Sequence, residues 1–454
     1  MMSKLLFNDF SEVSSKEWKQ KIQADLKGAD YNETLIWKTN EGIDVKPFYH
    51  ADKFEDTFKT SGSKATQWHI CQTIFVADVN RSNKKALDAI TRGAESIQFI
   101  IPSNEIEITN LIQSIETVTP IHFHLQFLDS NYVKTITECL PNHNVTIHTD
   151  VIGNIAKTGN WYKNLNDDFS QFITIVKHTN TLSIQLDLYQ NAGATIVQQL
   201  AYAMAHTNEY LNQLQTPKST LNVTFNLAVG TDYFFEIAKL RAIRLLWKTL
   251  AAEYQITKDC QIFVTPTKRN KTLYDYNTNM LRTTTECMSA VLGGANTICN
   301  LAYDAIYHKN NEFGERIARN QLLVLKHESY FDKVNNPSDG AYYIESLTQQ
   351  LAEKALILFK DIEKNGGFLS QLKEGTIQRK IKESATKEQE QFNNNDITLL
   401  GTNKHPNPND KMSHELELYP FVKTNPVKTL IAPIVTKRLA ETLEQKRLKT
   451  EENL

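Results

Sequence analysis

Cysteine is scarce in this chain, and the five present, Cys71, Cys139, Cys260, Cys287 and Cys299, include no C-x-x-C pair. An odd number without that spacing argues against a disulfide framework and against a zinc knuckle, and it fits a reducing cytosol. Long apolar runs are missing too, since none approaches the roughly 18 residues of a membrane span. The opening "MMSKLLFNDFSEVSSKEW" has no apolar signal core and carries Asp9, Glu12 and Glu17, unlike a secretory or transit peptide. A cytoplasmic protein with no membrane association is therefore expected. Charge of one sign is equally lacking: 50 basic residues stand against 52 acidic, a formal net charge of -2. That balance argues against nucleic acid or an anionic membrane as the main partner. No nucleophile elbow and no H-E-x-x-H occurs. The Gly-Gly of "VLGGAN" (291 to 296) has neither G-x-G-x-x-G nor a following Lys-Ser/Thr, so it reads as a helix C-cap leading into a strand rather than a phosphate cradle.

What the chain does have is a recurring unit: a strand-like run, a turn, then apolar residues at helical spacing. The runs are "TIFVADV" (73 to 79), "SIQFIIP" (96 to 102), "IHFHLQF" (121 to 127), "VTIHTDV" (145 to 151), "SIQLDL" (183 to 188), "NVTFNLAV" (222 to 229), "QIFVTPT" (261 to 267) and "NTICNL" (296 to 301). Eight strands alternating with helices over about 250 residues is the pattern of an α/β fold of the (β/α)8 barrel type. A doubly wound open sheet is the alternative, because a strand count does not establish closure. Residues 73–330 are thus assigned to the barrel and 1–72 to an amino-terminal arm that contacts another subunit. In the arm, a helix from Ser15 to Leu26 places Trp18, Ile22 and Leu26 on one face and stops at Gly28, and a hairpin turns around Asn40 to Gly42. Residues 331–454 are assigned to a helical extension and linker, with an amphipathic helix at 344 to 363 ended by Gly366 and Gly367. The Asn-rich "NKHPNPNDK" (403 to 411) and the Lys/Glu-rich end read as a linker and a frayed tail.

Within the strands, polar and apolar residues alternate. His122, His124 and Gln126 share one face, as do Thr146, His148 and Asp150, and Asn222, Thr224 and Asn226. In a barrel the apolar face must cover the helices, so the polar set points into the lumen. Imidazoles at 122, 124 and 148 could ligate a metal, and Asp150 with Asp187 could act as acid and base; the plainer reading is a network in which these groups satisfy one another. Asp187 is placed in such a network with Ser183, Gln185, His148 and Asn226. No residue is assigned as catalytic, cofactor-binding or metal-binding.

Several stretches together resemble the methylmalonyl-CoA mutase family: "YDYNTNMLRTTTECMSAVLGGANTI" (274 to 298), "FGERIARNQLLVLKHES" (313 to 329), "NPSDGAYYIESLTQQLAEKA" (336 to 355), "GTIQRKIKESA" (375 to 385), "NAGATIVQQLAYAMA" (191 to 205) and "LRAIRLLW" (240 to 247). The resemblance implies a barrel whose catalytic members thread acyl-CoA down the lumen, and a separate domain that binds adenosylcobalamin. Where catalytic members carry the His that holds the thioester carbonyl, this chain has Leu188. Where they carry an Arg for the CoA phosphate and a Tyr shaping the radical site, it has Cys71 and Thr73. Leucine donates no hydrogen bond, and a neutral thiol does not pair with phosphate. No D-x-H-x-x-G, the motif supplying the cobalt-ligating histidine, occurs in these 454 residues. The resemblance is therefore to the family's short, non-catalytic small-subunit branch. It implies a heterodimer with a large subunit that holds the adenosylcobalamin and interconverts methylmalonyl-CoA and succinyl-CoA in propionate metabolism. The alternatives are the substrate subunit of a split acyl-CoA mutase and an unrelated barrel enzyme using Asp150, Asp187 and a His.

Overall fold

A computed structural model describes residues 11–54, 61–214, 219–423 and 427–452. Two short strands, β1 (Trp37–Lys38) and β2 (Asp44–Val45), form the arm hairpin and pair antiparallel around the turn at Gly42, which needs its positive φ of 65°. Eight further strands follow: β3 (His69–Phe75), β4 (Ser96–Ile101), β5 (Ile121–Leu125), β6 (Val145–His148), β7 (Thr181–Gln185), β8 (Asn222–Val229), β9 (Gln261–Pro266) and β10 (Thr297–Cys299). They make one parallel sheet in the order β6-β5-β4-β3-β10-β9-β8-β7, with helices between successive strands, so the sheet is rolled nearly shut into a (β/α)8-type barrel.

Seven of the eight expected strands lie where the periodicity puts them. The first is four residues early. It occupies 69–75 rather than 73–79 because Asp78 caps the following helix, Val79–Thr91, through the Arg81 amide, and so ends the strand before it. The same device recurs at Asp129 before Ser130–Cys139 and at Asp150 before Val151–Thr158, which explains why acids close several strands. Outward residues such as Ile97, Phe99, Ile121 and Phe123 are completely buried beneath the helices, with Phe99 and Phe123 stacked at 5.9 Å. The Gly-Gly at 293 and 294 is a C-cap, as its sequence implies. Gly294 closes Thr278–Gly293 in the left-handed region (φ 89°), and a Cβ there would meet the Ser63 Cβ at 2.4 Å.

The arm helix runs Ser15–Asp25 with a capping box between Ser14 and Glu17. Its stripe is thinly covered: Trp18 stacks on Phe48 at 4.3 Å yet remains 44% exposed. The helix expected at 344–363 spans Tyr342–Lys364 and ends at Gly366 and Gly367, both in the left-handed region.

The carboxy-terminal region departs from a linker and frayed tail. The Leu430 and Ile431 amides donate to the Gly159 carbonyl, Ile434 to Ala156, Lys437 to Asn191 and Leu439 to Arg269, so residues 427–439 form a strap across the βα loops after β6, β7 and β9. A helix, Glu441–Glu452, then packs with Leu448 and Met412 buried. Charge gives this segment the look of a tail, but its charges are spent on anchoring. Arg438 meets Glu444 at 2.6 Å and the Lys271 carbonyl at 2.9 Å, while Arg282 holds the Leu400 carbonyl at 2.7 Å. Among the described residues no helix is long and apolar enough to cross a membrane.

Candidate functional site

The strand register carries the polar faces inward, as the alternation predicts. Gln98, His122 and Thr146 are level on β4, β5 and β6, and Gln185, Asn226 and Phe263 on β7, β8 and β9. His122 Nδ1 lies 3.1 Å from His148 Nε2, His148 Nδ1 lies 2.7 Å from Ser183 Oγ, and Asn226 Nδ2 donates to the same hydroxyl at 2.8 Å. Burial, reinforced by the neighbouring His69 imidazole, pulls the His122 pKa down to about 4. Burial likewise drives His148 well below its usual value, so both imidazoles are neutral. Phe263 stands edge-on to both rings, at 5.0 and 5.8 Å. On the opposite wall, Thr73 Oγ1 lies 2.8 Å from both Gln98 Oε1 and Cys299 Sγ, and Cys71 is hydrogen-bonded to Cys299. Burial raises the Cys71 thiol well above its usual pKa, so it carries no charge. These side chains fill the middle of the lumen, with His148 and Ser183 each only 1% exposed. Sequence periodicity alone does not reveal Gln98 and Cys299 as members, because each strand is read without knowing its register.

Asp150 lies outside that layer, where β6 meets β7. Its Oδ1 accepts from Tyr210 OH at 2.5 Å, the Gly153 amide at 2.7 Å and His206 Nε2 at 3.0 Å, and its Oδ2 accepts from the Gln185 amide at 2.8 Å. Burial alone would lift its pKa, but the electrostatic pull and hydrogen bond of His206, with the Gln185 and Tyr210 bonds, hold the carboxyl below its usual value. A carboxylate so fully committed is a joint, not an exchangeable acid. His206 and Tyr210 sit on the helix Ile196–Gln213 and carry no sequence motif that ties them to Asp150.

Asp187 is not a member of the lumen network. It opens the helix Asp187–Asn191 at the carboxy-terminal mouth of the barrel, the end where enzymes of this fold do their chemistry. Asn191 ties it to the loop after β9, accepting from the Lys268 amide and the Thr267 hydroxyl at 2.8 Å and donating to the Asp187 carbonyl at 2.8 Å. Burial raises the Asp187 pKa, opposed by Lys157 and Lys268, and burial lowers that of Lys268, opposed by Asp187. Leu188, the position at which the resembled catalytic members carry a thioester-binding histidine, is packed in the core at 6% exposure. The structure therefore separates Asp150 from Asp187, giving the first to the β6/β7 joint and the second to the mouth.

The model of the methylmalonyl-CoA mutase family matches residues 142–446, two-thirds of the chain. The methylmalonyl-CoA mutase small subunit of Porphyromonas gingivalis is 33% identical over 99% of this chain and 78% of its own length. The chain belongs to the methylmalonyl-CoA mutase family. The small subunit of Streptomyces virginiae is 25% identical over 82% of this chain and 67% of its own length. The methylmalonyl-CoA mutase of Rhizobium meliloti is 28% identical over 88% of this chain, which spans 65% of that relative. The family-like segments prove to be structural anchors. Arg241 meets Glu345 at 2.6 Å, Arg244 bridges the Cys260 and Gly294 carbonyls, and Arg282 holds Thr272 and Asn279. Lys271 and Glu286 pair at 2.8 Å with both side chains essentially buried.

Proposed function

We propose that this chain is the non-catalytic small subunit of a heterodimeric methylmalonyl-CoA mutase, supporting a large subunit that interconverts methylmalonyl-CoA and succinyl-CoA. One observation carries the reading: the middle of the lumen, where an acyl-CoA would have to pass, is packed with this chain's own side chains. His122, His148 and Phe263 close it from one wall, and Cys71, Cys299 and Thr73 from the other. Relatives named small subunits from two organisms support the same assignment. The residues of this chain do not suit adenosylcobalamin, since a filled lumen leaves no path between that cofactor and a substrate; the cofactor is therefore assigned to the large subunit. The arm is the expected contact, because the half-exposed Trp18 and Phe48 pair is an apolar surface in need of a cover.

The test is to purify the full chain alone and with its large subunit, and to measure adenosylcobalamin binding and mutase turnover in each. Turnover only in the pair, weakened when residues 1 to 28 are removed, is the expected outcome. Turnover or tight cobalamin binding by the chain alone would overturn the reading.

A further inference from the structure

The amino-terminal arm has two unlike parts. Its helix, Ser15–Asp25, lies almost wholly in solvent, with Ser15 its one buried residue. The hairpin is anchored instead. Ile43, beside the turn, is completely buried and belongs to the same core as Ile184, Leu200 and Phe235. Nearby, the Glu41 carboxylate accepts from the first two amides of the helix Ile196–Gln213, Ile196 to Oε1 and Val197 to Oε2, both at 2.8 Å. The other two donors of that helix end are already satisfied, because Thr195 and Gln198 cap each other reciprocally. Glu41 therefore completes the set of four amides that a helix start leaves open, and its charge faces the positive end of the helix dipole. Asn40 and Gln391, on the helix Thr376–Asn393, exchange side-chain amide bonds at 2.7 and 3.1 Å, and Trp37 stands edge-on to Phe235 at 5.9 Å. The hairpin is thus fastened to its own barrel by a buried side chain, a carboxylate and an amide pair.

Both legs that hold the exposed helix spring from this hairpin. On the entering leg the Tyr31 ring lies 4.6 Å from the Lys19 ammonium. On the leaving leg Phe48 stacks on Trp18 at 4.3 Å, and the Asp52 carboxylate accepts from the Ser15 amide at 2.8 Å. The leaving leg is in turn laid against the barrel's flank, with Tyr49 at 5.2 Å from Tyr343 and Phe54 at 5.4 Å from Tyr342. A helix of eleven residues does not hold itself in water, so its place is set by these legs and through them by the hairpin. We infer that the arm is a preformed docking element and that Glu41 is its positioning residue: by pinning the hairpin to its own barrel, Glu41 offers Trp18 and the helix around it to the large subunit in one orientation. The docking role rests on the proposed pairing with a large subunit; the pinning is a property of the free chain. An arm ordered beforehand spares the association the entropy of ordering it on the partner.

Hydrogen exchange on the full-length chain, free and mixed with its large subunit, tests both halves, together with the association rate of the two subunits. In the free parent chain, residues 37 to 45 should exchange at least about tenfold more slowly than an unstructured peptide and slow little further on pairing. Glu41→Ala should speed exchange in residues 37 to 45 and 15 to 25 by about tenfold while leaving strand β5 unchanged. The same variant should associate with the large subunit about tenfold more slowly, since the arm must then be ordered during the encounter. Glu41→Gln, whose carbonyl still accepts from one of the two amides, should recover part of both losses. If Glu41→Ala does not fold, Asn40→Ala, which breaks the tie to Gln391, should move the same two segments by a smaller factor. The inference is overturned by a free-chain arm that exchanges like an unstructured peptide and slows only on pairing. It is overturned as well if Glu41→Ala loosens β5 as much as the arm, or if a loosened arm associates at the parent rate. A parent chain that does not pair at all overturns the proposed function and with it the docking role, whereas exchange in the free chain still reads the pinning.

Discussion

Seven junctions between neighbouring barrel strands are backbone ladders, from β6/β5 round to β8/β7. The eighth, between β6 and β7, has no ladder among the described residues and is held by side chains: His148 to Ser183, and Asp150 to the Gln185 amide. The difference shows what the polar face is for. Where main-chain bonds already close the sheet, lumen residues such as Thr73 and Gln98 only fill space and satisfy each other. Where they do not, the lumen residues are the closure, and each polar atom there stands in for a missing main-chain pair.

The sharpest way to break that contrast is Asp150→Ala. It strands the Tyr210 hydroxyl, His206 and two backbone amides in a buried joint, and a loss of about 3 to 5 kcal/mol is expected. Thr73→Val, between two laddered strands, removes comparable side-chain bonds and should cost only about 1 kcal/mol. Urea unfolding at pH 7 compares them. If the two losses were equal, the β6/β7 joint would owe nothing special to its side chains.

A second contrast appears with pH. Because the folded pKa of His122 is about 4 against the usual 6.5, the unfolded chain binds the extra proton first as pH falls between those values. The stability this neutral histidine provides is fully present above pH 6.5 and is lost on going down to about 4, on the order of 3 kcal/mol. Its neighbour His148 acts in the same direction. Asp150 behaves separately: its lowered pKa keeps its contribution intact until the pH falls below the ordinary carboxylate range. Stability measured from pH 7 to 4 should therefore slope downward, less steeply in His122→Phe and unchanged in slope in Thr73→Val. A flat profile would mean that the paired histidines carry protons in the fold.

The barrel was legible in the sequence because its strands are amphipathic and its helices periodic, and inward-facing polar residues follow from a period of two. Which of them join was not legible. The His122 to His148 pair depends on register, and the closure by Asp150 depends on His206 and Tyr210, over fifty residues away with no pattern linking them. The carboxy-terminal strap was hidden for another reason. Its anchors are backbone amides donating to loop carbonyls, and backbone groups leave no mark in composition.

The smallest effect belongs to Asp187, which sits just past the end of β7 and which the strand alternation places in a lumen network with Ser183, Gln185, His148 and Asn226. Its carboxyl makes no part of the joint, and burial raises its pKa despite Lys157 and Lys268. An acid whose pKa is raised by folding costs stability once the pH exceeds that folded value, and costs nothing when protonated in both states. Asp187→Asn should therefore leave the protein within about 0.5 kcal/mol of the parent at pH 7, on the stabilised side, and indistinguishable from it below the carboxylate range. Thermal unfolding at pH 7 and pH 3.5 reads both halves of that statement. A loss comparable to Asp150→Ala would return Asp187 to that network; a neutral change leaves it as a charge at the mouth, balanced against two lysines rather than bearing on the fold.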